Sequence, residues 1–274
     1  MIGAPIALGG IWLGDAALAA MTGGMAAIAS WEFFRIAKAS GGAPLSVVGV
    51  VCSAVVPIIV HAEYLGVTHL SFVALILGVL AIIGLCLWLR GTDGQPLLAA
   101  STTVLGIMYT GGTLGFAYAL RYFGYAVGNV AGALVLMLPV LLTWASDIGA
   151  YAAGRTIRGP KLMPSVSPGK TIAGSIGGIV LTVATCALFV HYLLRPQAQL
   201  TFSPWGLATF AVGISVAAQV GDLVESMFKR EAGVKDSGTI FPGHGGMLDR
   251  LDSLFFVLPV AYVLYGWLLI AAPA

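Results

Sequence analysis

The chain has 274 residues, 59% of them hydrophobic and only 9% charged, with a formal net charge of +2 and a mean hydropathy of +0.98. A soluble domain carries about 25% charged residues, so this chain lacks the polar surface to cover itself in water and needs lipid as part of its solvent. So small a net charge argues against a nucleic-acid partner. Cys52, Cys86 and Cys186 stand far apart in apolar segments, which supports neither a zinc site nor a disulfide framework.

A helix needs about 20 apolar residues to cross the hydrocarbon core. The first 14 residues, MIGAPIALGGIWLG, are apolar but short for a full span. They read as a short first helix joined to the next through Gly14 and Asp15 rather than as a signal peptide, since no basic stretch precedes them and no clear cleavage site follows. Segments that meet or approach a full span follow at 16–36, 44–62, 69–89, 98–120, 126–153, 171–194, 201–225 and 253–273. The predicted fold class is all-α, a polytopic membrane protein of about nine transmembrane helices. It forms one integral membrane domain, with N-terminal helices over roughly 1–120 and the chemistry-bearing helices and loops over roughly 126–274.

Positive charges orient this map. With the N-terminus inside, Arg35, Lys38, Arg90, Arg155, Arg158, Lys161, Lys170, Lys229, Arg230, Lys235 and Arg250 fall on one side, and Arg121 and Arg195 on the other. That asymmetry is what the positive-inside rule expects, and it places both long loops, Arg155–Lys170 and Lys229–Asp252, in the cytoplasm of a cell with an inner membrane. The 37 glycines, with pairs at 23–24, 111–112 and 177–178, read as close helix packing. They leave open whether the contacts lie within one chain or in a homodimer. Tyr109 and the Gly111-Gly112 break read as packing or as the wall of an acyl cleft. The lack of an internal repeat weighs against an ion-coupled transporter of the inverted-repeat kind, and so does the position of the carboxylates at helix ends.

Residues 222–252 hold ten of the 24 charged residues, together with His244. Asp222, Glu225, Ser226 and Lys229 fall at i, i+3, i+4 and i+7, along one helix face; Glu225 and Lys229 could equally be a surface pair. Lys229, Arg230, Lys235 and Asp236 follow, then Gly243, His244, Gly245 and Gly246, whose glycines free the backbone for a tight loop able to aim N–H groups at an anion. Asp249 and Asp252 stand where the last helix begins, and helix capping can account for one of them but not both. Hard oxygen ligands for Mg²⁺ beside Lys and Arg are what phosphate chemistry needs, because the protein's task there is to position an in-line attack and stabilise charge. Gly169-Lys170-Thr171 looks like the end of a P-loop, but Pro164 stands where its first glycine should, and no strand is expected before it.

The stretch from Ser226 to Asp252, SMFKREAGVKDSGTIFPGHGGMLDRLD, closely resembles the signature of the phosphatidate cytidylyltransferases, or CDP-diacylglycerol synthases. Gly221-Asp222-Leu223 fits the same pattern. In the earlier loop Asp147, Ala150-Tyr151, Gly154-Arg155 and Ser167-Pro168 look like the family's second polar block. The chain departs from that block at Gly169-Lys170-Thr171, where the family usually has two lysines, and at Ala173, where it usually has a Glu.

The resemblance implies transfer of a cytidylyl group from CTP to phosphatidate, in the service of phospholipid synthesis. A lipid phosphate oxygen attacks the α-phosphorus of CTP, pyrophosphate leaves, and no covalent enzyme intermediate forms. It implies dependence on Mg²⁺ with a second cation such as K⁺ nearby. Carried onto this chain, it makes Asp222 and Asp249 the main metal ligands with Asp147 near them. Lys235, Asp236 and His244 join Asp222 and Asp249 as the catalytic group. His244 would donate to the leaving pyrophosphate or order its loop. Ser226, Lys229, Arg230, Gly245, Gly246 and Arg250 would hold substrate phosphates, and Ser167 and Lys170 would touch nucleotide or lipid phosphate. Arg155, with Arg158 and Lys161, would draw in the anionic headgroup. A relative acting on an isoprenoid ether lipid would carry the same charged residues.

Overall fold

Long apolar runs bounded by glycine, proline and short polar turns dictate helices, because a backbone in lipid must satisfy its own hydrogen bonds. A computed structural model describes residues 3–240 and 245–272. Its helices are α1 (Gly3–Leu13), α2 (Asp15–Ala39), α3 (Ser46–Tyr64), α4 (Phe72–Arg90), α5 (Pro96–Ile107), α6 (Thr113–Arg121), α7 (Asn129–Thr156), α8 (Ile172–Phe189), α9 (Arg195–Ala198), α10 (Pro204–Glu231) and α11 (Leu248–Leu268). Two π-helical turns, Met108–Gly112 and Val190–Leu194, join α5 to α6 and α8 to α9, so each of those pairs forms one long span. Among the described residues eight spans are long and apolar enough to cross a membrane, matching the eight longer predicted segments. The protein is a polytopic all-α membrane protein. With 11 residues, α1 reaches about 16 Å at 1.5 Å per residue, half the hydrocarbon thickness. It ends at Gly14 (φ +68), and Asp15 (φ +41) opens α2 at the predicted joint.

Two small sheets interrupt the helical pattern. β1 (Lys161–Met163) pairs antiparallel with β2 (Ser167–Thr171), and β3 (Leu200–Phe202) with β4 (Leu269–Ala271). The first makes a hairpin of the Arg155–Lys170 loop, and it corrects the expectation that no strand precedes Lys170. Lys170 and Thr171 lie within β2, so no loop is left to wrap a phosphate as a P-loop does.

The chain divides into two compact units. One comprises Met1–Gly14, Ala119–Met227 and Asp252–Ala274, and the other Asp15–Tyr118 and Phe228–Leu251. In the first, α7 and α8 cross closely at Gly149 and Gly177, where a side chain on either would run into the other helix's backbone. Ser146 and Ser215, both buried, share a 2.8 Å hydrogen bond, and Gln219 donates to Ser215 and to the Ser175 carbonyl. Polar side chains paired in this way join membrane helices without leaving unsatisfied groups. Arg121, only 2% exposed, donates to the Ile11 carbonyl at 2.9 Å and to Asn129, fastening the end of α1.

In the second unit α2 packs on α3, with Gly49 and Gly106 both seated on the ring of Phe34. Gly111 lies on the Ser53 backbone, and Thr110 bonds Ser53 Oγ at 3.2 Å. The Gly111-Gly112 break is therefore a π-turn that lets two helices touch, the packing reading of that motif.

Candidate active site

In the first unit β2 delivers Lys170 to the N-terminal end of α8, and Thr171 caps that helix by accepting from the Gly174 N–H at 3.1 Å. Lys170 Nζ lies 2.7 Å from Asp222 Oδ2 on α10, and Ser226, one turn later, donates to Asp222 Oδ1 at 3.4 Å. Asp147 on α7 stands within electrostatic reach of both Asp222 and Lys170. The fold thus brings together three residues from separate elements, α7, β2 and α10. Two carboxylates face one ammonium, which leaves a surplus negative charge. The Asp222 side chain is 36% exposed and open to a ligand. Arg155 is exposed and donates to the Tyr151 hydroxyl at 2.6 Å; Ser167 is half-buried in β2, and Arg158 and Lys161 are exposed. Ala173 sits in the first turn of α8 and brings no charge there.

In the second unit Asp249, in the first turn of α11, organises the signature loop. Its Oδ1 takes Lys229 Nζ at 2.7 Å, while Oδ2 accepts from Ser237 N (3.0 Å), Ser237 Oγ (2.8 Å) and Gly246 N (2.7 Å). The Asp249 and Lys229 side chains are 8% and 15% exposed, so their pairing is little screened by water. α11 begins at Leu248, so neither Asp249 nor Asp252 is its N-cap. Asp249 reaches back to the Gly246 N–H, and Asp252 accepts from Ser253 N at 2.6 Å. Gly245 has φ +79 and lies against the Asp249 carboxylate, a place only glycine fills without strain. Lys235, Asp236, Arg230 and Arg250 are exposed. Gly243 and His244 lie outside the described residues, so the His244 reading has no structural counterpart here.

One residue was not anticipated. Glu32, in the middle of an apolar run on α2, is fully buried in the second unit. Its Oε2 accepts from Ser237 Oγ at 2.9 Å and from the Leu248 N–H at 2.7 Å. A carboxylate inside a membrane span is costly and by default functional, and that was the signal available in the sequence. In the same unit Phe33, beside Glu32, packs with Tyr109 and Phe228. Phe33 and Phe228 line a cleft of about 170 Å³ together with Leu98, Leu105 and Glu231. Tyr109 is thus packed behind the cleft's aromatic wall.

Among the described residues no three His, Cys, Asp or Glu side chains converge on one point. Asp222 and Asp147 nonetheless suit a hard divalent ion of the Mg²⁺ kind, which binds through one or two carboxylates, keeps waters and shares substrate phosphates. Asp249 is differently placed, since each of its oxygens is already engaged by nitrogen or hydroxyl donors. Only the exchange of Lys229 would open Oδ1 to a cation.

Known proteins corroborate the motif reading. The model of the cytidylyltransferase family matches residues 1–268. The phosphatidate cytidylyltransferase of Staphylococcus epidermidis is 39% identical over 165 residues, 60% of this chain and 58% of the relative. That of Haemophilus influenzae is 38% identical over 186 residues, 66% of this chain and 60% of the relative. That of Staphylococcus aureus is 44% identical over 129 residues, 47% of this chain and 48% of the relative. The matched part of this chain spans about three fifths of the length of the first two relatives.

Proposed function

The chain belongs to the cytidylyltransferase family, and from that premise we propose that it transfers the cytidylyl group of CTP to phosphatidate, giving CDP-diacylglycerol and pyrophosphate at the cytoplasmic face of the membrane. The observation that carries the reading is common to both polar blocks. In each, a lysine ammonium lies 2.7 Å from an aspartate, Lys170 on Asp222 and Lys229 on Asp249. Carboxylates matched with mobile ammonium groups suit a site that must take up a polyanion together with its metal. When CTP arrives, the lysines can turn to phosphate oxygens, for which an ammonium is a strong donor, and the carboxylates are released.

Asp222 and Asp147 would hold Mg²⁺, and Asp249 would offer Oδ1 to a cation if Lys229 moved to phosphate. The bound ion would neutralise charge on the triphosphate and favour departure of pyrophosphate. The protein's own part is positioning. Lys170, Lys229, Arg230, Lys235 and Arg250 hold phosphates, Ser226 steadies Asp222, and the Gly245-Gly246 backbone lets a phosphate approach closely. Arg155, Arg158 and Lys161 gather the anionic lipid headgroup, worth about 1 kcal/mol each near a charged leaflet. No residue need act as a nucleophile, because the lipid phosphate supplies the attacking oxygen.

The decisive assay uses purified protein in detergent with CTP, Mg²⁺ and phosphatidate. Pyrophosphate release that requires both substrates supports the reading. No release with any of a range of diacyl and isoprenoid ether lipid phosphates would sink it.

A further inference from the structure

We infer that Glu32 is a positioning residue for the signature loop, the buried anchor that ties Ser237 and Gly238 to the Gly246–Asp249 end of the loop. The inference rests on the proposed transfer for its kinetic consequence, though not for its structural one. Both hydrogen bonds to Glu32 arrive at a single atom, Oε2, from Ser237 Oγ (2.9 Å) and from the Leu248 N–H (2.7 Å). Leu248 is the first residue of α11, so Glu32 satisfies one of the amides that a helix start leaves without an intrahelical partner. Negative charge at that end also opposes the helix dipole favourably.

Ser237 then links two carboxylates. Its Oγ lies 2.9 Å from Glu32 Oε2 and 2.8 Å from Asp249 Oδ2, and its one hydroxyl proton can serve only one of them at a time. Movement of Glu32 is therefore transmitted through Ser237 to the aspartate that Lys229 neutralises. The loop is shaped to this carboxylate. A Cβ on Gly246 would overlap both Glu32 oxygens. A Cβ on Gly238 would overlap Oε1 and lie 2.8 Å from Cδ, and the three atoms nearest to it all belong to Glu32. Gly238 is not among the positive-φ glycines, so its backbone is one alanine can adopt. Its tightest constraint therefore comes from Glu32.

Oε1 is buried and has no hydrogen-bond partner among the described residues. Glutamine fits this arrangement, with its carbonyl oxygen in the place of Oε2 and its amide in the place of Oε1. Alanine leaves the Leu248 N–H without its acceptor and the Ser237 hydroxyl with Asp249 alone.

The test compares full-length Glu32→Ala, Glu32→Gln, Gly238→Ala and the Glu32→Ala/Gly238→Ala double variant, by CTP turnover and by amide hydrogen exchange at Leu248. Glu32→Ala should lower kcat at least tenfold and speed Leu248 exchange at least tenfold, with exchange in α7 and α8 unchanged. Glu32→Gln keeps an acceptor for both donors at the weaker strength of a neutral group, so its loss of kcat and its rise in Leu248 exchange should each be at least threefold smaller than those of Glu32→Ala. Gly238→Ala should be damaging alone and add less than twofold in the Glu32→Ala background. The inference is overturned if Glu32→Ala leaves Leu248 exchange within threefold of wild type, if Glu32→Gln is as impaired as Glu32→Ala, or if the two alanine substitutions are additive. Should the wild type itself fail to consume CTP with phosphatidate, the proposed function falls, and exchange at Leu248 still decides the role of Glu32.

Discussion

Asp249→Asn keeps the size of the side chain and removes its charge, and the geometry sets what that should cost. Oδ2 accepts three hydrogen bonds at 2.7 to 3.0 Å, from Ser237 N, Ser237 Oγ and Gly246 N. A hydrogen bond to a charged group contributes about 1.5–3 kcal/mol and a neutral one about 0.5–1.5. If the asparagine carbonyl takes the place of Oδ2, each bond weakens by about 1 kcal/mol, and the three together by about 2–3 kcal/mol, the lower value applying when the Ser237 hydroxyl turns to Glu32. If the amide nitrogen takes that place, three donors face a donor and the loss is greater. Lys229 also loses a carboxylate at a pair only 8% and 15% exposed, where water repairs little. A local loss of about 2–3 kcal/mol corresponds to roughly 30- to 100-fold faster opening of the loop. Hydrogen exchange at the Ser237 and Gly246 amides in detergent-solubilised, Mg²⁺-free protein measures it, with α7 amides as the internal reference. Exchange within threefold of wild type would refute the account of Asp249 as the loop's organiser. A residue acting only as a metal ligand would change exchange only when Mg²⁺ is present.

Asp222→Asn and Asp147→Asn should each reduce Mg²⁺-dependent CTP turnover at least 100-fold while the protein remains folded, as followed by thermal unfolding; an active variant removes that residue from the metal-holding pair. With the native cysteines replaced by alanine, a cysteine at Ser165 in the β1–β2 turn should react with a membrane-impermeant maleimide only from the cytoplasmic side. One at Gln197 should react only from the opposite side, and the reverse pattern would invert the charge-based orientation. Gly177→Leu should destabilise the α7–α8 crossing by about 1–3 kcal/mol or more through overpacking, because even a Cβ there meets Ala153 and the Gly149 carbonyl. An unchanged melting temperature would show that the helices part at no cost.

Apolar length and charge placement made much of this protein legible from its sequence. A membrane span is a local property: about 20 apolar residues make a helix in lipid whatever their neighbours. That is why the spans could be drawn and the short α1 recognised from Gly14 and Asp15. The carboxylates and bases of the signature were legible for a related reason, since charge is scarce in this chain and its clustering stands out. The β1–β2 hairpin was not legible. Its strands are only three and five residues long, and their pairing depends on closure rather than on any periodic pattern.

Partnership was decided only in three dimensions. Lys170 and Asp222 read as members of separate blocks, and the fold of the first unit makes them an ion pair with Asp147 in reach. Asp249 read as a metal ligand or a cap, and its surroundings engage it with four donors. Glu32 is more than 200 positions from Ser237 and Leu248, and no motif joins them. The sequence by itself determined which residues carry charge and which segments enter lipid, because hydrophobicity is counted along the chain. Which carboxylate neutralises which lysine, and which glycine must stay a glycine, depends on atoms meeting within 3 Å across distant segments, and only the tertiary structure decides that.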